Sequence, residues 1–416
     1  MTEFPQLILQ LVVVVAAARL SGVLARRIGQ PAVVGEIAAG LLLGPSFIGA
    51  VFPGVSGAVF PAESLPSLQV LSQLGVLLFM FVVGVDLDVG HLRSRVRMVV
   101  AISQISIAVP FLLGVLSSLV LYRDYAPAGV PGHAFALFLG IAMSITAFPV
   151  LARILEERGL AATPVGATAL SAAALGDLIA WALLALVVAI TTSAGAAGLL
   201  LTMMALSGAF VALMIYAVRP LLNRLLAAGR RGDALGMRQL AIVLAVAALA
   251  ALATERIGIH ALFGAFLAGT IMPDDAAFRR AVRARLETVS SAFLLPLFFA
   301  YSGLRTHIGL LDDLGSWVLC LVIILVATLG KMGGTFAAAR WTGLGWSESW
   351  TLAALMNTRG LMELVALNVG YDLGILSPEI FTMLVLMALV TTAMTGPLVT
   401  LAANRRVVAH ASRWEQ

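Results

Sequence analysis

Pro31-Ala-Val-Val-Gly-Glu-Ile-Ala-Ala-Gly40 and His260-Ala-Leu-Phe-Gly-Ala-Phe-Leu-Ala-Gly269 decide how this chain is read. Both contain A-x-x-G-x-x-x-A-G, and a proline follows each within five residues, at Pro45 and Pro273. Two further likenesses occur in the same order. Gly84-Val-Asp-Leu closes one apolar run and Ser302-Gly-Leu-Arg closes another, while Thr146-Ala-Phe-Pro149 and Asn357-Thr-Arg-Gly360 each interrupt one. Small residues recur in any helix bundle, where they permit close packing. Three matches in one order favour a repeat.

The surrounding composition fixes the setting. Hydrophobic residues make up 61% of the chain and charged residues 11%, against about 25% charged in soluble domains. Such a sequence cannot build a water-exposed surface, and its apolar runs recur throughout. Thirteen segments fit membrane spans: 6–25, 31–51, 66–86, 98–121, 133–155, 163–190, 197–222, 238–255, 258–273, 289–308, 314–338, 346–369 and 378–402. Each is near the ~20 residues that cross a bilayer, although the ninth is short. The first lacks a basic leader and reads as a retained span.

Of the 26 basic residues, 20 arginines lie after odd-numbered spans or in the C-terminal tail, against Arg123, Arg256 and Arg305 on the other side. The positive-inside rule then puts the N-terminus outside and the C-terminus in the cytoplasm, which suits an inner (plasma) membrane. The pI near 10.0 therefore reports topology rather than nucleic-acid binding. Cys320 is the single cysteine and sits in an apolar run, which excludes disulfides and thiolate metal sites.

Pairing spans 2–6 with spans 9–13 gives an offset of seven, so the two copies run in opposite directions. The expected fold is an all-α polytopic membrane protein with 13 transmembrane helices in a single membrane domain over 1–416. Its inverted repeats cover about 31–190 and 258–402. Inverted repeats with helices broken at matching positions mark secondary transporters, whose sites lie near the midplane.

Ionisable groups inside a bilayer are costly and point to function. Asp177 lies about 14 residues into span 6, roughly 21 Å along a helix and near the centre of a ~30 Å core. Its string, Ser171-Ala-Ala-Ala-Leu-Gly-Asp177, offers no adjacent cation. Burial disfavours the charged form, so this carboxyl can hold a proton or exchange it for a cation. Asp177 is thus the expected ligand of a transported monovalent metal ion, with Ser171 and Gly176 beside it.

Lys331 is the only lysine and lies roughly 13 Å from the inner end of span 11, as a proton-coupling group or as a fixed counter-charge to Asp177. Pro149 and Gly360 break spans 5 and 12, where Thr146, Asn357 and Thr358 add polar atoms. Arg359 and Glu363 are spaced i, i+4 and are expected to neutralise one another. Arg19 is expected to snorkel, Glu36 and Glu255 to be interfacial or cavity-lining, and His260 to pack. The sequence carries no P-loop, H-E-x-x-H, nucleophile elbow or GxGxxG, so neither an enzyme nor a cofactor is expected.

Four strings then resemble a known family: Ile145-Thr-Ala-Phe-Pro-Val-Leu-Ala-Arg-Ile-Leu155, Gly258-Ile-His-Ala-Leu-Phe-Gly-Ala-Phe266, Leu294-Leu-Pro-Leu-Phe-Phe-Ala-Tyr-Ser-Gly303 and Asn357-Thr-Arg-Gly-Leu-Met-Glu-Leu364. They are similar to the membrane domain of the monovalent cation:proton antiporter-2 family, closest to plant cation/H+ exchangers and their bacterial relatives. The likeness covers about residues 5–402.

The resemblance implies a homodimer in which a core domain with two crossed, broken helices moves against a dimerisation domain. It places the ion-binding aspartate on Asp177 and the family's lysine on Lys331. Relatives carry Asp, Asn or Gln where this chain has Gly176, and the missing second carboxylate implies electroneutral exchange. No cytosolic nucleotide-binding domain is expected. The expected activity is K+/H+ antiport, with Na+/H+ as the other possibility. A cation channel and a non-transporting sensor on the same fold are the rival readings.

Overall fold

A computed structural model describes residues 3–86, 96–160, 163–192, 197–227, 236–258 and 261–411. His91, His260 and several loop arginines, among them Arg93, Arg95, Arg230, Arg231 and Arg413, lie outside the described residues. The described chain is helical and contains no strand. Nine of its helices are long and apolar enough to cross a membrane. Shorter apolar helices, Gly132–Ser144 and Ala261–Thr270, fall on two further expected segments.

Three segments are interrupted, two at the expected breaks and one more, not expected, beside Pro45. Ala32–Leu43 stops before Pro45 and resumes as Ile48–Val51. Gly132–Ser144 gives way to extended backbone at Ile145 and resumes as Phe148–Glu157. Trp346–Met356 ends at Asn357 and resumes as Leu361–Asp372 after Gly360, whose φ of 138° is open only to glycine.

The tenth segment begins earlier than its apolar stretch. Ala276–Val289 is helical and continues through a π-helical turn, Ser290–Leu294, into Leu295–Leu304. Hydropathy misses the first part because Arg279, Arg280, Arg283 and Arg285 make it polar. The helix is amphipathic instead, with Phe278, Val282 and Leu286 buried at i, i+4 and i+8.

The chain divides into two compact units that alternate along the sequence. One comprises Met1–Val15, Val59–Val89 and Ala185–Tyr301, and the other Ala16–Ala58, Gly90–Leu184 and Ser302–Gln416. Core residues of the first include Phe81, Val243, Ala247, Ala265 and Met272. Core residues of the second include Ile102, Leu151, Ala172, Ala339 and Leu355.

The same glycine contact is made once in each unit. In the first, a Cβ on Gly269 would lie 2.1 Å from the Phe81 carbonyl oxygen and 2.8 Å from Gly84 Cα. In the second, a Cβ on Gly303 would lie 2.6 Å from Leu41 N and 2.7 Å from Gly40 Cα. Gly40 corresponds to Gly269, and Gly303 to Gly84, in the pairing read from the sequence. A second matched contact follows, since a Cβ on Gly35 or on Gly264 would strike the preceding helix at Ser21 or Ala250. The repeat motif is therefore a set of backbone-to-backbone contacts, in which span 2 packs on span 10 and span 9 packs on span 3.

Gly269→Ala should consequently lower thermal stability in detergent by about 1–3 kcal/mol, through overpacking against backbone that cannot turn aside. Gly54→Ala, where no atom lies within 4 Å of the added carbon, should stay within about 0.5 kcal/mol of the parent. Equal melting temperatures for the two variants would refute the close-contact account.

Candidate functional site

Two of the three interrupted helices of the second unit, those broken after Ser144 and after Met356, meet at their breaks. Ala147 N–H donates to the Thr358 carbonyl at 3.1 Å. Thr146 Oγ1 donates to the Met356 carbonyl at 3.2 Å. A Cβ on Gly360 would stand 3.1 Å from Val150 Cγ2. Each break therefore lies against the other.

A helix end leaves its last four carbonyls without intrahelical partners. At the end of Gly132–Ser144, Arg359 donates from Nη1 to Ala142 O at 2.9 Å and from Nη2 to Met143 O at 2.6 Å. Lys331 Nζ donates to Ser144 O. Ile141 O receives Ile145 N–H at 3.3 Å and Ser144 Oγ at 3.0 Å. Two cations thus face the negative end of this half-helix.

At the end of Trp346–Met356 the donors are neutral. The Thr358 hydroxyl reaches Leu355 O at 2.7 Å and Thr146 reaches Met356 O, while Asn357 N–H serves Ala353 and Ala354. The ends are held by different chemistry.

Arg359 is fully buried. It pairs with Glu363 at 3.3 Å, as the i, i+4 spacing suggests, but its shorter bonds go to the carbonyls of the other broken helix. One hydroxyl meets its own backbone: Thr392 Oγ1 accepts from Arg359 N at 3.2 Å and lies within donating distance of both Ala388 O (2.7 Å) and Arg359 O (2.9 Å).

Asp177 sits midway along Pro164–Thr192 and is 2% exposed. Neither carboxylate oxygen makes a hydrogen bond to a described residue. The Phe148 amide, at the start of the second half-helix, and the Lys331 charge both act on it, but the amide falls short of hydrogen-bond geometry. Lys331 also feels Arg359 and Glu363. Two acids and two bases therefore form one buried electrostatic cluster whose formal charges sum to zero. Asn357 Oδ1 and Glu363 Oε2 likewise lack a hydrogen-bond partner.

The remaining sequence candidates separate. Gly176 is buried beside Asp177, and Ser171 is half-buried two turns earlier. Pro149 lies in the first turn of Phe148–Glu157. Glu36 is buried. Glu255 is exposed and accepts from Ala261 N–H at 2.8 Å, capping the helix that carries the second glycine motif. Sequence reasoning missed the carbonyls of Ala142, Met143 and Ser144, which no side chain announces. It also missed Thr391, Thr392 and Thr395, which face the second break. Their spacing along one face of the last span was the available signal.

Among the described residues no cluster of three or more His, Cys, Asp or Glu could hold a metal. The arrangement suits transient capture of one singly charged ion by one carboxylate.

Comparisons with known proteins identify the family and the fold. A family model described as sodium/hydrogen exchanger, transmembrane, matches residues 12–405. The Na(+)/H(+) antiporter NhaS4 of Synechocystis is 41% identical over 390 residues, 94% of this chain and 95% of that protein. Cation/H(+) antiporter 17 of Arabidopsis thaliana is 40% identical over 95% of this chain, which spans about half (48%) of that longer protein. The sodium proton antiporter MjNhaP1 of Methanocaldococcus jannaschii shares the fold, with a TM-score of 0.68 over 97% of both chains at 13% identity.

Arg359→Met should destabilise the detergent-solubilised protein by about 3–5 kcal/mol, because it uncaps a buried helix end and strands Glu363. Glu363→Gln leaves the guanidinium on its carbonyls and should cost under about 2 kcal/mol. Thermal unfolding with the reverse order would make the ion pair, not the helix cap, the main task of Arg359.

Proposed function

Because this chain belongs to the sodium/hydrogen exchanger family, an integral-membrane family of transporters rather than enzymes, we propose that it exchanges a monovalent alkali cation for a proton at Asp177. The observation that carries the reading is a fully enclosed carboxylate with both oxygens unpartnered, next to two helix breaks. A buried polar atom without a partner is unfavourable. Here a cation or a proton supplies that partner, and one carboxylate cannot hold both.

In the proposed cycle ionised Asp177 takes a partly dehydrated cation, supported by the Asn357 oxygen and the break hydroxyls of Thr146 and Thr358. The core then shifts against the rest of a homodimer, the cation leaves, and a proton takes its place. Lys331 and Arg359 stay fixed on the carbonyls of residues 142–144, holding the half-helix while the cargo changes. One carboxylate carries one charge in either direction, so exchange is one-for-one and electroneutral. The protein lies in the plasma (inner) membrane with its N-terminus outside and its C-terminus in the cytoplasm, where such exchange serves pH homeostasis. The plant relatives' names specify only a cation, the name of the yeast K(+)/H(+) antiporter 1 supports K+, and that of the Synechocystis relative supports Na+.

Proteoliposomes test this directly. Asp177→Asn should insert normally yet fail to dissipate a pH gradient with either K+ or Na+, and retained exchange would eliminate the mechanism. In the parent protein an imposed voltage should leave the rate unchanged. Conduction without proton exchange would indicate a channel, and no flux with any alkali cation would indicate a sensor.

Acidifying the cation side should raise the apparent KM for the cation, approaching tenfold per pH unit in the acid limb, with little change in maximal rate. A KM independent of pH would mean that proton and cation use separate sites.

A further inference from the structure

We propose that Ser103 is a further cation-binding group, whose hydroxyl reaches the cargo through the space left beside Asp177 by Gly176 and so sets the choice of alkali ion. The inference rests on the exchange at Asp177 proposed above and deepens it.

Three observations carry it. First, Gly176 is not there for packing. At Gly84, Gly269 and Gly303 an added Cβ would lie within 3 Å of a neighbouring backbone atom. At Gly176 it would meet only Ser103 Oγ at 3.5 Å and Ile107 Cδ1 at 3.7 Å, ordinary contact distances. Its φ is not among the positive ones either. Glycine costs roughly 1 kcal/mol against alanine in a helix interior, and neither sterics nor backbone conformation accounts for it here.

Second, Ser103 is fully buried and its hydroxyl has no hydrogen-bond partner among the described residues. Serines in spanning helices commonly turn their hydroxyl back to a carbonyl of the preceding turn. Ser106, Ser117 and Ser118, on the same helix Val96–Tyr125, all do so. Ser103 does not. Its oxygen is aimed instead at the face of Pro164–Thr192 where the Gly176 side chain is missing.

Third, the residue that follows Gly176 is the acid whose own two oxygens are unpartnered. A hydroxyl oxygen and a carboxylate are both hard donors, suited to an alkali ion. The distance between them, rather than the acid alone, would then discriminate a smaller cation from a larger one.

Proteoliposome exchange with K+ and with Na+ tests the assignment. Ser103→Ala should raise the KM for the preferred cation about tenfold, the size of one lost polar contact. It should shift the K+/Na+ ratio several-fold and keep the maximal rate within about twofold. Ser103→Cys, of similar volume but with a soft donor, should behave like the alanine variant, and Ser103→Thr should retain the parent KM. Gly176→Ala is safe for folding by its contact distances, and its methyl should obstruct the same space and raise KM as well. Unchanged KM and selectivity in Ser103→Cys and Gly176→Ala, with Asp177→Asn inactive, would overturn the role of Ser103 and leave exchange at Asp177 standing. Exchange retained in Asp177→Asn would instead bring down the underlying reading.

Discussion

An interrupted helix in a hydrocarbon interior exposes backbone groups that no water can satisfy, and the rest of this structure follows from how that constraint is met. Each break supplies what the other lacks. Arg359, from the break at 357–360, caps the carbonyls of Ala142 and Met143. Thr146, from the break at 145–147, caps Met356, and the Ala147 amide closes on Thr358. Neither interruption would be tolerable alone. The guanidinium is central because a planar fork reaches two successive carbonyls at once, and a lysine would present a single point charge.

This arrangement distributes charge unevenly, and the unevenness matters for Asp177. Both basic side chains are committed to one half-helix end, while the other end is held by hydroxyls and amides. Lys331 gives its hydrogen bond to Ser144 rather than to the acid. Asp177 therefore feels positive charge without receiving a hydrogen bond. In the proposed exchange, that unmet need is what a proton or a small cation would satisfy. Had Lys331 paired with it directly, the demand would have been met permanently and an exchangeable ligand would have no place.

Much of this was legible in the sequence because its physics is local. Gly-x-x-x-Ala-Gly patterns, a proline in an apolar run, and an acid far from any charge each state a constraint within a few residues. Gly303 approaches Gly40 as Gly269 approaches Gly84, at positions that those patterns set side by side. Partners distant in sequence were not legible. The Arg359–Glu363 spacing suggested a self-neutralising pair, and that pair forms, yet the tighter bonds run to carbonyls more than two hundred residues away. Backbone acceptors have no side-chain signature. Ala276–Val289 escaped notice because a hydropathy window averages an apolar stripe with the arginines opposite it, although its three buried residues fall at helical spacing.

The charge count also bears on why the proposed exchange would be tight. With its acids ionised and its bases protonated, the cluster of Asp177, Glu363, Lys331 and Arg359 is neutral, and either cargo raises it by one charge. The electrical work of moving the loaded site is then the same for proton and alkali ion, so a membrane potential favours neither leg over the other. The unloaded site differs from both. Its carboxylate would cross the apolar barrier ionised and without a hydrogen bond, at a desolvation cost of several kcal/mol. Slippage would thus be suppressed by the feature that makes the acid receptive. No separate latch would be required to forbid the empty return, because the same oxygens that would draw in a cation would make the journey without one unfavourable.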